Sequence, residues 1–366
     1  MPALARLELS NLRNIQSAEL ELARGFNVLF GDNGSGKTSV LEAVHLLGMG
    51  RSFRNTVQKA LVTEGHSEAT VFGLTSEGLA LGISRPLRGP QTLKIGGRRA
   101  AGLAELSRSL PLQLINSDTF QILEGSPTER RRFLDWGVFH VEHRFLESWR
   151  RVKLALQNRN SLLRSDAKAV ELEPWTLELV KGAESMDQQR QAYISKLKAV
   201  VEPQLAALGA WEGAAALQID YWRGWGAEQS LYELLQQELP RDRKNGHTGS
   251  GPHRAELHFS FGMASAADLL SRGQIKLLIC ALKIAQAELL EQQTGQRCLF
   301  LIDDLPAELD AFNRARVCRL LAGRQCQILL TSIERDTLAS ELGFSPSGKD
   351  VATKLFHVKH GKIVAV

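Results

Sequence analysis

The sequence predicts an α/β fold in which a phosphate-binding head is assembled from both ends of the chain and interrupted by a helical insertion. Three observations carry that prediction. In "LFGDNGSGKTSVLEAV", Leu29 to Val44, an apolar strand runs into a glycine-rich loop and then into an amphipathic helix. In "CLFLIDD" a wholly apolar strand ends in two acids, Asp303 and Asp304. Between the two, from about Asp135 to Leu239, apolar residues recur at spacings of three and four, as in "HRFLESWRRVKLALQNRNSLLR".

Taken in order, "ALARLELSNL" and "GFNVLFG" read as strands and "TSVLEAVHLLGM" as a helix. The segments "EATVFGLTS", "LALGIS" and "TLKIGG" alternate as antiparallel strands do. After the helical stretch comes a polar, glycine-rich crossing, "RDRKNGHTGSGPH". The chain then returns to α/β character with "CLFLID", "CQILLTS" and "LFHVKHGKIVAV". The expected division is 1–134 for the first part of the head, 135–240 for the insertion and 241–366 for the second part. With 366 residues and 43% hydrophobic content, each part can hold its own core. No apolar run reaches membrane-spanning length and the first residues lack a signal-peptide pattern, so a soluble cytoplasmic protein without membrane contact is expected. Cys280, Cys298, Cys318 and Cys326 lie in apolar stretches with no CxxC pair, which points to buried thiols rather than a zinc site or disulfides. A net charge of +5 permits a polyanionic partner but equally suits an ordinary surface.

The loop Gly31, Asp32, Asn33, Gly34, Ser35, Gly36, Lys37 and Thr38, followed by Ser39, matches GxxxxGK[ST]. Its glycines let successive N–H groups turn toward a phosphate at a helix N-terminus. Lys37 would reach the β- and γ-phosphates of ATP, and the Thr38 hydroxyl would ligate Mg2+. Asp303 would hold that magnesium, directly or through water, and Asp304 would orient or deprotonate the attacking water. About thirty residues earlier, "LSRGQ" places Ser271, Gly273 and Gln274 at the start of a helix, either a second anion site or simply a serine cap.

GDNGSGKTS, LSRGQ and LIDD followed by "AELD" resemble the ABC-type ATPase heads of the SMC-like repair proteins, and more closely the RecF family of bacterial recombination mediators. "NLRNI", "GMGRSFR", "GSPTERRRFLDWGVFH", "GPHRAEL" and "SRGQIKLLICALKIAQ" extend the resemblance over essentially the whole chain. It implies an ATP-dependent homodimer in which Ser271 and the Gly273 amide of one copy touch the γ-phosphate held by the other. It implies a weak, DNA-stimulated ATPase acting in single-strand gap repair, replication restart and SOS induction, with partners of the RecO and RecR type. By the same resemblance Gln113 is the candidate sensor of magnesium and water, and Thr331 stands where transporter heads carry a histidine. Arg13 is a candidate for phosphate or partner contact, or an ordinary surface arginine. Asp304 replaces a customary glutamate one methylene longer, so slow turnover is expected.

Gapped, junction or duplex DNA is the expected polyanion, with Arg51, Arg54, Arg130, Arg131, Arg132, Arg150, Arg151 and Lys153 as candidate phosphate contacts. Trp222 and Trp225 in "YWRGW" could stack on bases or pack. The alternatives are a nucleotide-switched scaffold whose hydrolysis is incidental, and a transport ATPase, which would need a coupling surface the sequence does not offer. The insertion is also too short for a long coiled-coil arm, at most about 75 Å each way.

Overall fold

The computed structural model describes residues 3–54, 61–165, 167–333 and 352–366. It divides into two compact units, Met1–Thr119 with Ala207–Ala210 and Lys276–Val366, and Phe120–Ala206 with Trp211–Ile275.

The first unit holds two six-stranded sheets. One is antiparallel and runs, in spatial order, Ile15–Glu21, Leu4–Leu12, Glu68–Thr75, Ala80–Pro86, Thr92–Ile95 and Arg98–Arg99. In the other, Thr353–Lys359, Phe26–Phe30, Ile328–Ser332, Leu299–Ile302 and Leu112–Ile115 are parallel neighbours, and Lys362–Ala365 closes one edge as an antiparallel hairpin. Parallel strands are buried on both faces, which is why "FLI" and "ILL" carry no polar alternation. One apolar core joins leucines of both sheets to the helix Lys37–Met49. That helix is buried all round, because both sheets pack on it: Val40, Leu41, Ala43, Val44, Leu46 and Leu47 are fully enclosed, and so are Glu42 and His45. The expected amphipathic helix is therefore a core helix with four buried polar residues, Lys37, Ser39, Glu42 and His45.

The second unit is helical around a small sheet. Its long helices are Pro127–Val141, Phe145–Arg164 and Ala169–Ala207, the last of 39 residues, or about 58 Å. Leu217–Trp222, Glu256–Phe261 and Ala264–Ser265 form a three-stranded antiparallel sheet that helical periodicity gave no sign of. The unit's edges at 119/120 and 275/276 lie outside the expected 134/135 and 240/241 because side chains from both flanks of the insertion pack together. Phe133 meets Phe259 edge-on at 6.4 Å, and Arg130 pairs both oxygens of Glu256 at 2.7 and 3.0 Å. Gly137 lets Tyr193 pass where a Cβ would sit 2.1 Å from its hydroxyl. All four cysteines are buried and none is in a disulfide, and burial pushes the Cys280 thiol up to about 12.

Candidate functional site

Five parallel strands end at one edge of the mixed sheet, and register decides which residues meet there. Ile302 pairs with Ile115 and with Leu330, so the next residues Asp303, Asn116 and Thr331 lie level. Thr331 in turn pairs with Leu29, two residues before Gly31. Ligand sites of open α/β sheets form at such carboxyl ends. A cleft of about 620 Å³ opens here, lined by the phosphate loop from Asn33 to Ser39, by Arg13, Asn14 and Arg54, and by Asn116, Ser117, Asp303, Asp304, Glu308, Thr331 and Ile333. Its size fits a nucleoside triphosphate.

The loop's shape rests on glycine at two points. Gly31 has φ +145°, and a Cβ there would stand 2.2 Å from the Val358 carbonyl oxygen. Gly36 has φ +120° and lies against Asn14. Lys37 donates to the carbonyls of Gly31 at 2.5 Å and Asp32 at 2.8 Å. Burial lowers its ammonium below the ordinary range, opposed by the charges of Asp304, Asp303 and Asp32.

Between the loop and the acids stands Thr331. Its hydroxyl donates to Asp303 Oδ1 at 2.8 Å and accepts the Asp304 backbone N–H at 2.8 Å. The Thr38 hydroxyl donates to the same Oδ1 at 3.1 Å. A hydroxyl has one proton, so in this arrangement Thr331 spends its only donor on Asp303. Burial raises the Asp303 carboxyl, and the hydrogen bonds from Thr331 and Thr38 pull it back. Asp304 sits in the left-handed region, φ 53° and ψ 48°. Short polar aspartate tolerates that region better than most residues, a physical reason for aspartate at this position.

Among the other expected site residues, Gln113 does not line the cleft. It is buried within its strand, three residues before the sheet edge, and donates to Gln286 at 3.2 Å. Asn116, at the strand's end, lines the cleft instead, its side chain held by Thr119. Arg54, expected on DNA, lines the cleft beside Asp303 and Asp304. Arg51 is exposed, and its carbonyl accepts from His45 Nδ1 at 2.7 Å. Ser271, Gly273 and Gln274 belong to the second unit. There Gln274 accepts the Ser271 N–H at 2.8 Å while Ser271 Oγ accepts the Gln274 N–H at 3.3 Å, a reciprocal cap that leaves the exposed serine hydroxyl its proton.

Of the basic residues in that unit, Arg130 and Arg131 are turned into the fold. Arg130 holds Glu256 and the Gly125 carbonyl, and Arg131 donates to the Ala255 carbonyl at 2.9 Å. Arg151 pairs with Glu178 at 3.1 Å and Arg132 with Glu129. Arg150 and Lys153 are exposed, the latter over Trp149 at 5.0 Å. Trp225 is buried under Arg223, and Trp222 is half exposed.

The braces of the loop escaped sequence reasoning. Asn14 donates to the carbonyls of Ser35 at 3.0 Å and Gly34 at 3.3 Å, and accepts from Ser39 at 3.2 Å. Arg13 forks onto wholly buried Glu42 at 2.7 and 2.8 Å, and Ser52 donates to the same carboxylate. The Gly361 N–H reaches the Ser35 carbonyl at 2.8 Å from the turn of the last hairpin. Only the place of Glu42 within the apolar run 40–47 of its helix signalled a buried partner.

The model of the RecF/RecN/SMC N terminal domain matches residues 3–345. The DNA replication and repair protein RecF of Stutzerimonas stutzeri is 44% identical over 99% of this chain and 97% of its own length. That of Pseudomonas entomophila is 44% identical over 99% and 98%. The solved structure of the recombination mediator protein RecF-ATPrS in the RecFOR pathway superposes with a TM-score of 0.85 at 24% identity, covering 100% of this chain and 98% of that one. A Pyrococcus furiosus Smc head with an extended coiled coil, bound to the ScpA C-terminal domain, gives a TM-score of 0.57 at 16% identity, covering 100% and 96%. Matched from end to end, with a phosphate loop facing an acid-tipped strand, the chain belongs to the RecF/RecN/SMC family and, within it, to the RecF proteins.

Proposed function

We propose that this protein is an ATP-dependent DNA-binding protein of recombinational repair, in which ATP joins two copies on DNA and slow hydrolysis releases them. The observation that carries the reading is the convergence of Lys37, Thr38, Asp303 and Thr331 on one cleft, where Thr38 and Thr331 both bond a single carboxylate oxygen. Two hard oxygen donors suit a magnesium ion that completes its shell with phosphate and water. Thr38 and Asp303 would hold the ion, which would supply charge neutralisation at the β- and γ-phosphates.

Lys37 would exchange its carbonyl partners for phosphate oxygens. Asp304, fixed by its backbone to Thr331, would orient the attacking water and accept its proton. The exposed Ser271 hydroxyl and the Gly273 amide would complete the site on a second copy. RecF relatives are named for DNA replication and repair, and the matched structure for the RecFOR pathway, which supports DNA and mediators of the RecO and RecR type as partners. No helix among the described residues is long and apolar enough to cross a membrane, which is compatible with action on chromosomal DNA in the cytoplasm.

Sedimentation without nucleotide, with ATP, and with ATP plus a gapped duplex tests this. A monomer that dimerises only with ATP, and is retained on DNA in a salt-sensitive way, is expected. A mass indifferent to ATP would overturn the shared-site reading.

A further inference from the structure

The second unit has a cleft of its own, of about 560 Å³, between the Trp222 region and the glycine-rich segment 241–254. Trp222, Glu238, Arg241, Ser250 and Arg254 all line it. Trp222 is 47% exposed although it pairs with Glu256 in a regular antiparallel ladder. Arg241 and Arg254 are exposed, and neither guanidinium has a carboxylate partner among the described residues. Glu238 Oε2 is buried without a hydrogen-bond partner among the described residues, an acceptor that lacks a donor.

The wall is held unusually firmly. Two wholly buried arginines from different helices anchor it. Arg159 Nη1 bonds Asp242 at 2.8 Å and Thr248 at 2.6 Å, while Arg190 Nη1 bonds the Pro252 carbonyl at 3.0 Å. Gly224 admits the Gly251 carbonyl where a Cβ would stand 2.1 Å from its oxygen. A solvated surface loop needs no such anchoring, whereas a binding wall does.

We infer that this cleft binds a short single-stranded nucleic-acid segment, with one base stacked on Trp222, its exocyclic amino group donating to Glu238, and the flanking phosphates on Arg241 and Arg254. An indole face beside unpaired cations is the composition of single-strand sites. A duplex keeps its bases stacked on one another and cannot offer a free face to Trp222. An acidic peptide would satisfy the arginines but would meet Glu238 as a like charge. The inference rests on the DNA reading above and narrows it to one strand and one place.

The test uses the full chain and a fluorescein-labelled oligodeoxycytidylate of about ten nucleotides, followed by anisotropy at two salt concentrations. Trp222→Ala should bind about tenfold more weakly, and Trp222→Phe should recover most of that loss. Arg241→Ala and Arg254→Ala should each lose about tenfold and flatten the salt dependence by about one unit of slope. Oligothymidylate, which has no exocyclic amino group, should bind more weakly than oligodeoxycytidylate to the parent but equally to Glu238→Gln. Melting temperature and ATP turnover without DNA check that each variant is folded. Equal binding by parent and variants overturns the assignment, as does displacement of the oligonucleotide by polyglutamate or by a blunt hairpin duplex at matching charge. If the parent and Trp222→Ala bind a gapped duplex equally in ATP, the cleft assignment falls and the DNA reading stands; a parent that binds neither probe overturns both.

Discussion

Replacing Thr331 by valine keeps the shape of a 1% exposed side chain and removes only its hydroxyl. Two hydrogen bonds of 2.8 Å disappear, one to the Asp303 carboxylate and one from the Asp304 N–H. The bond to the charged group contributes about 1.5–3 kcal/mol, and leaving the N–H unpaired costs about 1–3 kcal/mol. Asp303 keeps its bond from Thr38, so the two losses do not simply add, and about 2–4 kcal/mol of destabilisation is expected. The local effect is larger than the global one. Asp304 occupies a left-handed conformation that is disfavoured by about 1–2 kcal/mol for most residues, and the Thr331 hydroxyl is the partner of its N–H. Without that tie the backbone relaxes and the carboxyl leaves its position. Urea unfolding of parent, Thr331→Val and Thr331→Ser, with magnesium-dependent ATP turnover of each, measures both effects. Valine should lower the unfolding free energy by that amount at an unchanged m-value and cut turnover about tenfold or more, while serine stays near the parent in both. A valine variant as stable and as active as the parent would refute the bridging role, and so would a serine variant as damaged as valine.

Asn14→Ala removes the clamp on Gly34, Ser35 and Ser39 and should weaken ATP binding by about tenfold, at about 1 kcal/mol or less per lost bond, with calorimetric titration as the check. Gly361→Ala places a Cβ 2.0 Å from the Asn14 carbonyl oxygen at φ +76°, so it should lower both the melting temperature and ATP affinity; an unaffected affinity would uncouple the hairpin turn from the loop. Burial holds His45 and His253 down to about 4, so both fold neutral while the unfolded chain takes up protons below about 6.5. Their contribution is complete above pH 6.5 and is lost as pH falls toward 4, by up to about 3 kcal/mol each, and His45→Gln should flatten the acid limb of a stability-against-pH curve. Arg130→Ala strands the Glu256 carboxylate and should destabilise the second unit by about 3 kcal/mol without altering the salt dependence of DNA binding; a flattened salt dependence would return Arg130 to the DNA contacts.

The chemistry of the nucleotide cleft was legible because it depends on short-range grammar. A loop of fixed glycine and lysine spacing and a strand ending in acids each carry their meaning within about ten residues, and the structure sets them side by side at one sheet edge. Gln113 failed because a glutamine on a fully buried strand has two possible destinations, and only the register against Phe300 and the neighbour Gln286 decides between core and cleft. Arg130 and Arg131 were placed on the surface for the converse reason. Clustered guanidinium groups look alike in sequence whether they face solvent or, like Arg130, find a carboxylate 126 residues away. The strand Leu217–Trp222 was missed because it stands alone beyond a 39-residue helix, its partner Glu256–Phe261 being visible only once the chain returns.

Glu42 and His45 show what the sequence could not price. Both lie on a helix enclosed by two sheets, where an unpaired carboxylate or imidazole would be strongly unfavourable, so their presence demands partners. The partners come from two segments: Arg13 from the turn that also carries Asn14, and Ser52 with the Arg51 carbonyl from the stretch that leads to Arg54. Apolar residues at 42 and 45 would pack the core as well, but they would fix neither segment. Burying these two polar groups makes the phosphate-loop helix a rigid common support, holding Asn14 against the loop's carbonyls on one side and Arg54 at the cleft on the other. Any force that displaces the 51–54 segment must therefore break the bonds to buried Glu42 and His45 before it can move independently of the loop. That is the physical condition for contacts at Arg51 or Arg54 to be felt at the nucleotide.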